Sequence, residues 1–288
     1  MLTPILGVLF DGFAYGGLLF LLSVGLSVTM GLMRFVNLAH GAFAMLGGYT
    51  CVTLMQRFGV PFLVTLPIVF VVVGASGALL ERTLYRRLYG AGELDQVLFS
   101  IGLTLMAVAA AAYFFGSAEQ PVHLPSLLRG QVRCAGLDLG AYRLFLLALV
   151  VTLSAGLQAL VSKTRFGARV RAAVDDRSAA AGLGIDVNGV VSLSFALGTG
   201  LAGLGGALGI DLLGLDPSFA VKYLVSFLLA VVVGGAGSIK GTAVAALLLG
   251  VCDVAGKYFV PAAGSFVIYA LMVLLLIVFP AGLYGRRS

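Results

Sequence analysis

Residues able to make or break bonds are scarce in this sequence. Its two histidines, His40 and His123, are far apart, and neither sits in an HExxH or related metal-binding spacing. The three cysteines, Cys51, Cys134 and Cys252, are odd in number and scattered, so neither a metal clip nor a disulfide framework is expected. No GxSxG elbow presents a nucleophilic serine. Gly256-Lys257-Tyr258 lacks the upstream glycine and the Ser/Thr of a phosphate-binding loop. The residues therefore predict no catalytic site, no metal and no cofactor. Any ATP-driven step would need its nucleotide on another chain.

Two polar constellations remain. Asn37 and His40 lie in MRFVNLAHGAFAMLGGY, at the edge of an apolar segment. On a continuous helix Asn37, His40, Gly41, Ala44 and Gly48 would share one face. Polar groups at membrane depth are costly and face the bundle interior. Such a stripe either braces a broken helix against a neighbour or lines a translocation path, and both readings stand at this stage. Arg34 is expected to snorkel to headgroups.

The other constellation is SKTRFGARVRAAVDDRSAAAGLGID, residues 162–186, the one sizeable run that is both polar and helix-prone. Residues 168–181 are good helix formers, and Gly182 and Gly184 supply a stop. Arg165, Gly167, Arg169, Arg171, Asp175, Asp176, Arg177, Gly182 and Gly184 are its candidate contact residues. An amphipathic helix lying on anionic lipid would look similar. The residues between its charges are mostly alanine, too small to anchor in lipid, which favours docking on a cytosolic partner.

The elements that must hold these residues belong in a bilayer. Of 288 residues 60% are hydrophobic and 10% charged, with a mean hydropathy of +1.10, where a soluble domain carries about a quarter charged residues. Apolar segments run at 5–31, 37–56, 61–80, 95–116, 140–161, 188–212, 219–237, 241–258 and 262–283. They do not alternate, so helices rather than a β-barrel span. The 40 glycines suit close helix packing. The expectation is an all-α membrane protein, a polytopic bundle of about eight to ten transmembrane helices in one domain over 1–288. It has an outer loop at 116–140 and a cytoplasmic loop at 162–187. With no Lys or Arg in the first 33 residues, the first segment is expected to stay in the mature protein.

Charge placement orients the chain. With the N-terminus outside, twelve basic residues (Arg34, Arg82, Arg86, Arg87, Lys163, Arg165, Arg169, Arg171, Arg177, Lys240, Arg286, Arg287) fall inside, against six outside (Arg57, Arg129, Arg133, Arg143, Lys222, Lys257). The positive-inside rule then predicts the N-terminus outside and the C-terminus in the cytoplasm, and accounts for the net charge of +6 without nucleic acid. Asp253 and Lys257 should pair at i, i+4. Asp11 is expected among outer headgroups, and Glu81 with Arg82, Arg86 and Arg87 reads as a solvated helix end. The outer loop, with Pro121, His123, Pro125, Arg129 and Arg133, is long enough for a short surface helix.

VVVGASGALLE and VVVGGAGSIKG recur 160 residues apart, and AFAMLGG and GLAGLGG 158 apart. They hint at parallel internal repeats, or at chance likeness among Gly/Ala/Val-rich helices. GASG (74–77) and GGAGSIKG (234–241), including Gly234, Gly235 and Gly237, read as breaks and candidate flexible points.

GLSVTMGLMRFVNLAHGAFAMLGGY (25–49), RFGARVRAAVDDRSAAAGLGIDVNGV (165–190) and VVVGGAGSIKGTAVAALLLG (231–250) resemble the branched-chain amino-acid ABC importer permeases of the LivH type. The resemblance spans nearly the whole chain, and Asn37-x-Ala39-His40-Gly41 is its most specific part. It departs at Ala42, where the family often carries a polar or acidic residue. The resemblance implies a bacterial inner-membrane subunit that receives hydrophobic amino acids from a periplasmic binding protein. It implies a second homologous permease as heterodimer partner and two cytosolic ATP-binding-cassette ATPases, with 165–186 as the ATPase-coupling segment. Permeases for urea and short amides share the pattern, so those substrates stay open. An ATPase-independent carrier or channel is the rival outside the family.

Overall fold

The computed structural model describes residues 2–33, 35, 37–122, 124–134, 137–262, 264–280 and 282–284. Arg34, His123, Arg286 and Arg287 lie outside the described residues. The elements are α1 (Leu2–Met33), α2 (His40–Phe58), α3 (Phe62–Thr83), α4 (Glu93–Phe115), a hairpin of β1 (Gln131–Cys134) and β2 (Leu137–Gly140), α5 (Ala141–Lys163), α6 (Arg165–Asp175), α7 (Arg177–Gly182), α8 (Val187–Leu213), α9 (Phe219–Lys222), α10 (Leu224–Gly234), α11 (Ile239–Phe259) and α12 (Gly264–Val278). Among the described residues six helices are long and apolar enough to cross a membrane: α1, α3, α4, α5, α8 and α11. α2, the α9–α10 pair and α12 are less apolar or shorter. The chain is an all-α, multi-pass membrane protein.

Helix α8 is the axis of the bundle, with α1, α2 and α3 packed around it. Its glycines permit that crowding. A Cβ on Gly206 would overlap the carbonyl oxygen of Ala44 on α2, and one on Gly198 would come within 2.9 Å of the carbonyl oxygen of Gly25 on α1. Lipid tails are as apolar as leucine, so helices in a bilayer associate through close packing rather than apolar burial. On the far side α1 meets α11, where Gly16 and Gly250 bring the two backbones together. The outward faces of α3, α4 and α5 carry exposed Val71, Leu105, Met106 and Val151, the surface a bilayer solvates.

Four expectations are corrected. GASG (74–77) does not break its segment, because α3 runs unbroken from Phe62 to Thr83. Gly74 and Gly77 instead admit the backbone of Ala196 and the side chain of Thr199 on α8. Glu81 is not solvated: it is fully buried between α3 and α8. Asn37 is not on a helical face with Gly48, since α2 begins only at His40. The Asn37 side chain accepts from the Ala39 N–H at 3.0 Å and closes an Asx-type turn in place of a helical one. The outer loop folds as a 3₁₀ turn (Ser126–Leu128) and the β1–β2 hairpin, with no α-helix among its described residues.

Candidate functional site

The polar run folds as two short helices, α6 and α7, after α5. Phe166, Val170 and Ala173 recur at helical spacing on one face of α6. With Ala180 of α7 they pack on Leu32 at the end of α1 and on Val187, Val190 and Val191 of α8, a core separate from that of the bundle. Arg165, Arg169, Arg171, Asp175, Asp176 and Arg177 are exposed on the other side. Three side chains fix the boundaries. Thr164 caps α6 by accepting from Gly167 N–H at 3.2 Å. Asp176 caps α7 by accepting from Ser178 and Ala179 at 2.8 and 2.9 Å, and Asp186 caps α8 through Gly189 at 3.0 Å.

Gly167 is buried against the end of α5, where a Cβ would overlap the carbonyl oxygen of Val161. Arg171 donates to that same carbonyl. The reversal from α5 into α6 therefore needs glycine at 167 and is latched from 171. Gly184 has φ of 81°, the left-handed conformation that ends α7, whereas Gly182 is exposed and unconfined.

A buried carboxylate ties this segment to the bundle. Tyr89 donates to Glu81 at 2.7 Å, Ser192 of α8 donates to Glu81, and Arg86 reaches it at 3.4 Å. Arg82 and Arg86 also donate to the Ser192 hydroxyl at 3.3 and 3.2 Å. Arg177 of α7 lies over the Tyr89 ring, 5.6 Å from its centroid. Burial first, then the hydrogen bond to Glu81, pushes the Tyr89 phenol above its usual value, so it stays a donor well into the alkaline range.

The start of α2 is itself buried. His40 Nε2 contacts the carbonyl of Leu22 at 2.9 Å. Leu22 lies about 16 Å of helix short of the end of α1 at Met33, so α2 begins well inside the bundle. Tyr85 donates to Asn37 Oδ1 at 2.9 Å, and Thr104 on α4 donates to the Leu38 carbonyl at 3.3 Å. The Asn37 amide nitrogen is buried without a hydrogen-bond partner. Gly41 faces the carbonyl of Ala220 on α9 and Gly48 the side chain of Leu215 in the α8–α9 connection, so both are contact positions.

Gly234 ends α10, and Gly235 and Gly237 lie in the gap before α11, at the end of the bundle that carries α6 and α7. Gly235 and Gly237 have φ of 94° and 84°, and Gly237 abuts Gly31 of α1. Leu283 and Tyr284 N–H groups satisfy the carbonyls of Val233 and Gly234 at 2.7 and 3.1 Å. Ser238 caps α11 through Gly241 at 3.0 Å, and Thr242 donates to Ser27 of α1 at 2.9 Å. The end of α1 thus touches both the α6–α7 pair, through Leu32, and the glycine gap, through Gly31.

At the opposite end Lys257 pairs with Asp253 at 2.6 Å. Asp11, expected among headgroups, forms an ion pair with Arg143 of α5. The sequence reading missed Tyr85, Tyr89 and Ser192, which carry no local signature. It passed over the caps at Thr164 and Asp186, although their spacing to the following helices is a legible signal.

A family model described as "Branched-chain amino acid transport system / permease component" matches residues 8–276. The high-affinity branched-chain amino acid transport system permease protein BraD of Pseudomonas aeruginosa is 28% identical, over 96% of this chain and 95% of its own. LivH of Escherichia coli, a protein of the same description, is 27% identical over 96% and 94%. A probable branched-chain amino acid transport permease LivH from Methanocaldococcus jannaschii is 29% identical over 94% and 90%. No solved structure gave a significant match.

Proposed function

Because the chain belongs to the branched-chain amino acid transport system permease family, we propose that it is the membrane-spanning subunit of an ATP-binding-cassette importer for branched-chain amino acids. In this reading a periplasmic binding protein delivers the amino acid, a second homologous permease completes the path, and two cytosolic ATPases supply the energy. The chain hydrolyses nothing itself. The observation that carries the reading is the α6–α7 pair: a rigid, capped projection with an arginine-rich outer face and an apolar sole seated on α1 and α8.

The mechanism follows from those contacts. ATPase closure pushes α6 and α7. The push reaches α1 through Leu32, α3 and α8 through Tyr89, Glu81 and Ser192, and the glycine gap through Gly31 and Gly237. It need only bias a two-state bundle by a few kcal/mol. Arg165, Arg169, Arg171, Asp175 and Arg177 form the contact face. Asn37, His40, Gly41 and Gly48 hold the buried start of α2, and Gly234, Gly235 and Gly237 let α10 move against α11. In this reading α6 and α7 lie in the cytoplasm and the Lys257 end outside, as the excess of basic residues at the α6–α7 end favours.

The test is ATP-dependent uptake of radiolabelled leucine into vesicles holding this chain, its partner permease, the ATPases and the binding protein. Uptake competed by isoleucine and valine is expected. Intact assembly and ATPase activity without leucine uptake would shift the substrate to urea or short amides. Uptake with the ATPases omitted would overturn the importer reading altogether. Within the working complex, reversing Arg165 and Arg169 to glutamate should weaken ATPase co-purification, and unchanged co-purification would refute the contact face.

A further inference from the structure

At the end of the bundle opposite α6 and α7, a cavity of about 470 Å³ opens between α1, α5, α8 and α11. That volume lies within the range of about 300–1,000 Å³ usual for small-molecule sites. Its wall carries two ion pairs, Asp11 with Arg143 and Asp253 with Lys257, beside the apolar side chains of Leu213 and Val254. Asp253 is 7% exposed, Asp11 34%, Arg143 39% and Lys257 56%, so the wall grades from dry to wet.

We propose that this cavity binds the free zwitterion of an aliphatic α-amino acid. Arg143 and Lys257 take its carboxylate, Asp11 and Asp253 its ammonium, and Leu213 and Val254 its side chain. The charge balance selects the ligand class. A lone anion would leave two carboxylates facing two occupied cations, and a lone cation would do the reverse. A zwitterion brings one charge for each kind of partner and leaves the sum at zero. Partly exposed ion pairs hold weakly, so they can exchange partners with an incoming ligand. A neutral amide such as urea would displace neither pair. The inference rests on the amino-acid importer reading and names a station for the substrate at the end where it would arrive.

The experiment uses the assembled permease–ATPase complex in nanodiscs with Tyr258→Cys as reporter, since Tyr258 lines the cavity and is exposed. Labelling by a charged methanethiosulfonate is measured above that of the unsubstituted chain, which retains Cys51, Cys134 and Cys252. Millimolar leucine should slow labelling, while leucine amide, 4-methylpentanoate and urea should need at least about tenfold more. Arg143→Gln and Asp253→Asn should abolish protection in complexes that still co-purify with the ATPases, and Arg143→Lys should retain it. Where Asp253→Asn fails to assemble, Val254→Phe, which fills the cavity without touching a charge, carries the same expectation. Equal protection by the single-charge analogues, no protection by leucine, or protection surviving these substitutions would overturn the inference and leave the ion pairs as helix braces only. Failure of the importer reading is seen separately, as absent ATP-dependent leucine uptake by the unsubstituted complex; uptake without protection sinks only the cavity.

Discussion

Replacing Glu81 by alanine removes the acceptor that joins α3, α8 and the segment leading to α4. Glu81 is fully buried and Ser192 is 2% exposed. In the variant the Ser192 hydroxyl still accepts from Arg82 and Arg86 but has lost the acceptor for its own proton. Tyr89 loses the 2.7 Å bond that holds its ring beneath Arg177. A buried donor left unpaired costs about 1–3 kcal/mol, and half-buried Tyr89 falls at the low end. The two arginines reach water along their own stems and add little. The expected loss is about 3 kcal/mol for Glu81→Ala and about 1 kcal/mol for Glu81→Gln, whose oxygen still accepts from Ser192 while the Tyr89 hydroxyl can rotate to receive its amide. Reversible unfolding of the purified chain in mixed micelles, titrated with dodecyl sulfate, measures both. An alanine variant within about 0.5 kcal/mol of the parent would show that the carboxylate is not a structural node. A glutamine variant worse than alanine would show that charge, not hydrogen-bond capacity, is what the site requires.

Three further outcomes follow from single contacts. Gly206→Ala should destabilise the bundle by about 1–3 kcal/mol, because its Cβ overlaps the Ala44 carbonyl, whereas Gly182→Ala, in open space, should be neutral or slightly stabilising; the same titration compares them. Asp176→Ala should cost about 1 kcal/mol of local stability in α7, read as faster hydrogen exchange at Ser178 and Ala179, with Asp176→Asn largely restoring protection. The raised Tyr89 pKa means that above the ordinary value of 10.0 the unfolded chain releases this proton before the folded one does. Stability tied to Tyr89 is therefore full below pH 10 and lost as pH rises beyond it, at a slope below the one-proton limit of about 1.4 kcal/mol per unit because the group is partly solvated, and Tyr89→Phe should flatten that fall.

Helix type and approximate extent were legible because bilayer-grade hydropathy leaves a chain few options. Each apolar segment coincides with a helix or, at 219–237, with the broken pair α9–α10. The helical character of 165–182 was legible in the same way, since propensity and the glycine stop act within a few residues of sequence, but its division at Asp176 into α6 and α7 was not. Glu81 was misread for a physical reason. Beside Arg82, Arg86 and Arg87 it looks like a wet helix end, yet its acceptor capacity is used by Ser192, 111 residues away. Polarity is a property of one residue; burial is a property of its neighbours. GASG and GGAGSIKG make the same point, for similar strings form a continuous helix at 74–77 and a gap at 235–238. In the first, α8 lies against the glycines; in the second, the chain turns over the end of α1 and its carbonyls are completed by residues 283 and 284.

By itself, then, the sequence determined solvent, helix content and the polar projection, because each depends on composition and short-range spacing. Tertiary structure decided which glycines are contacts rather than hinges, that α2 begins inside the bundle against Leu22, and that four charges from three helices (Asp11, Arg143, Asp253 and Lys257) converge on one cavity. Those outcomes depend on distances between residues remote in the chain, which packing alone sets.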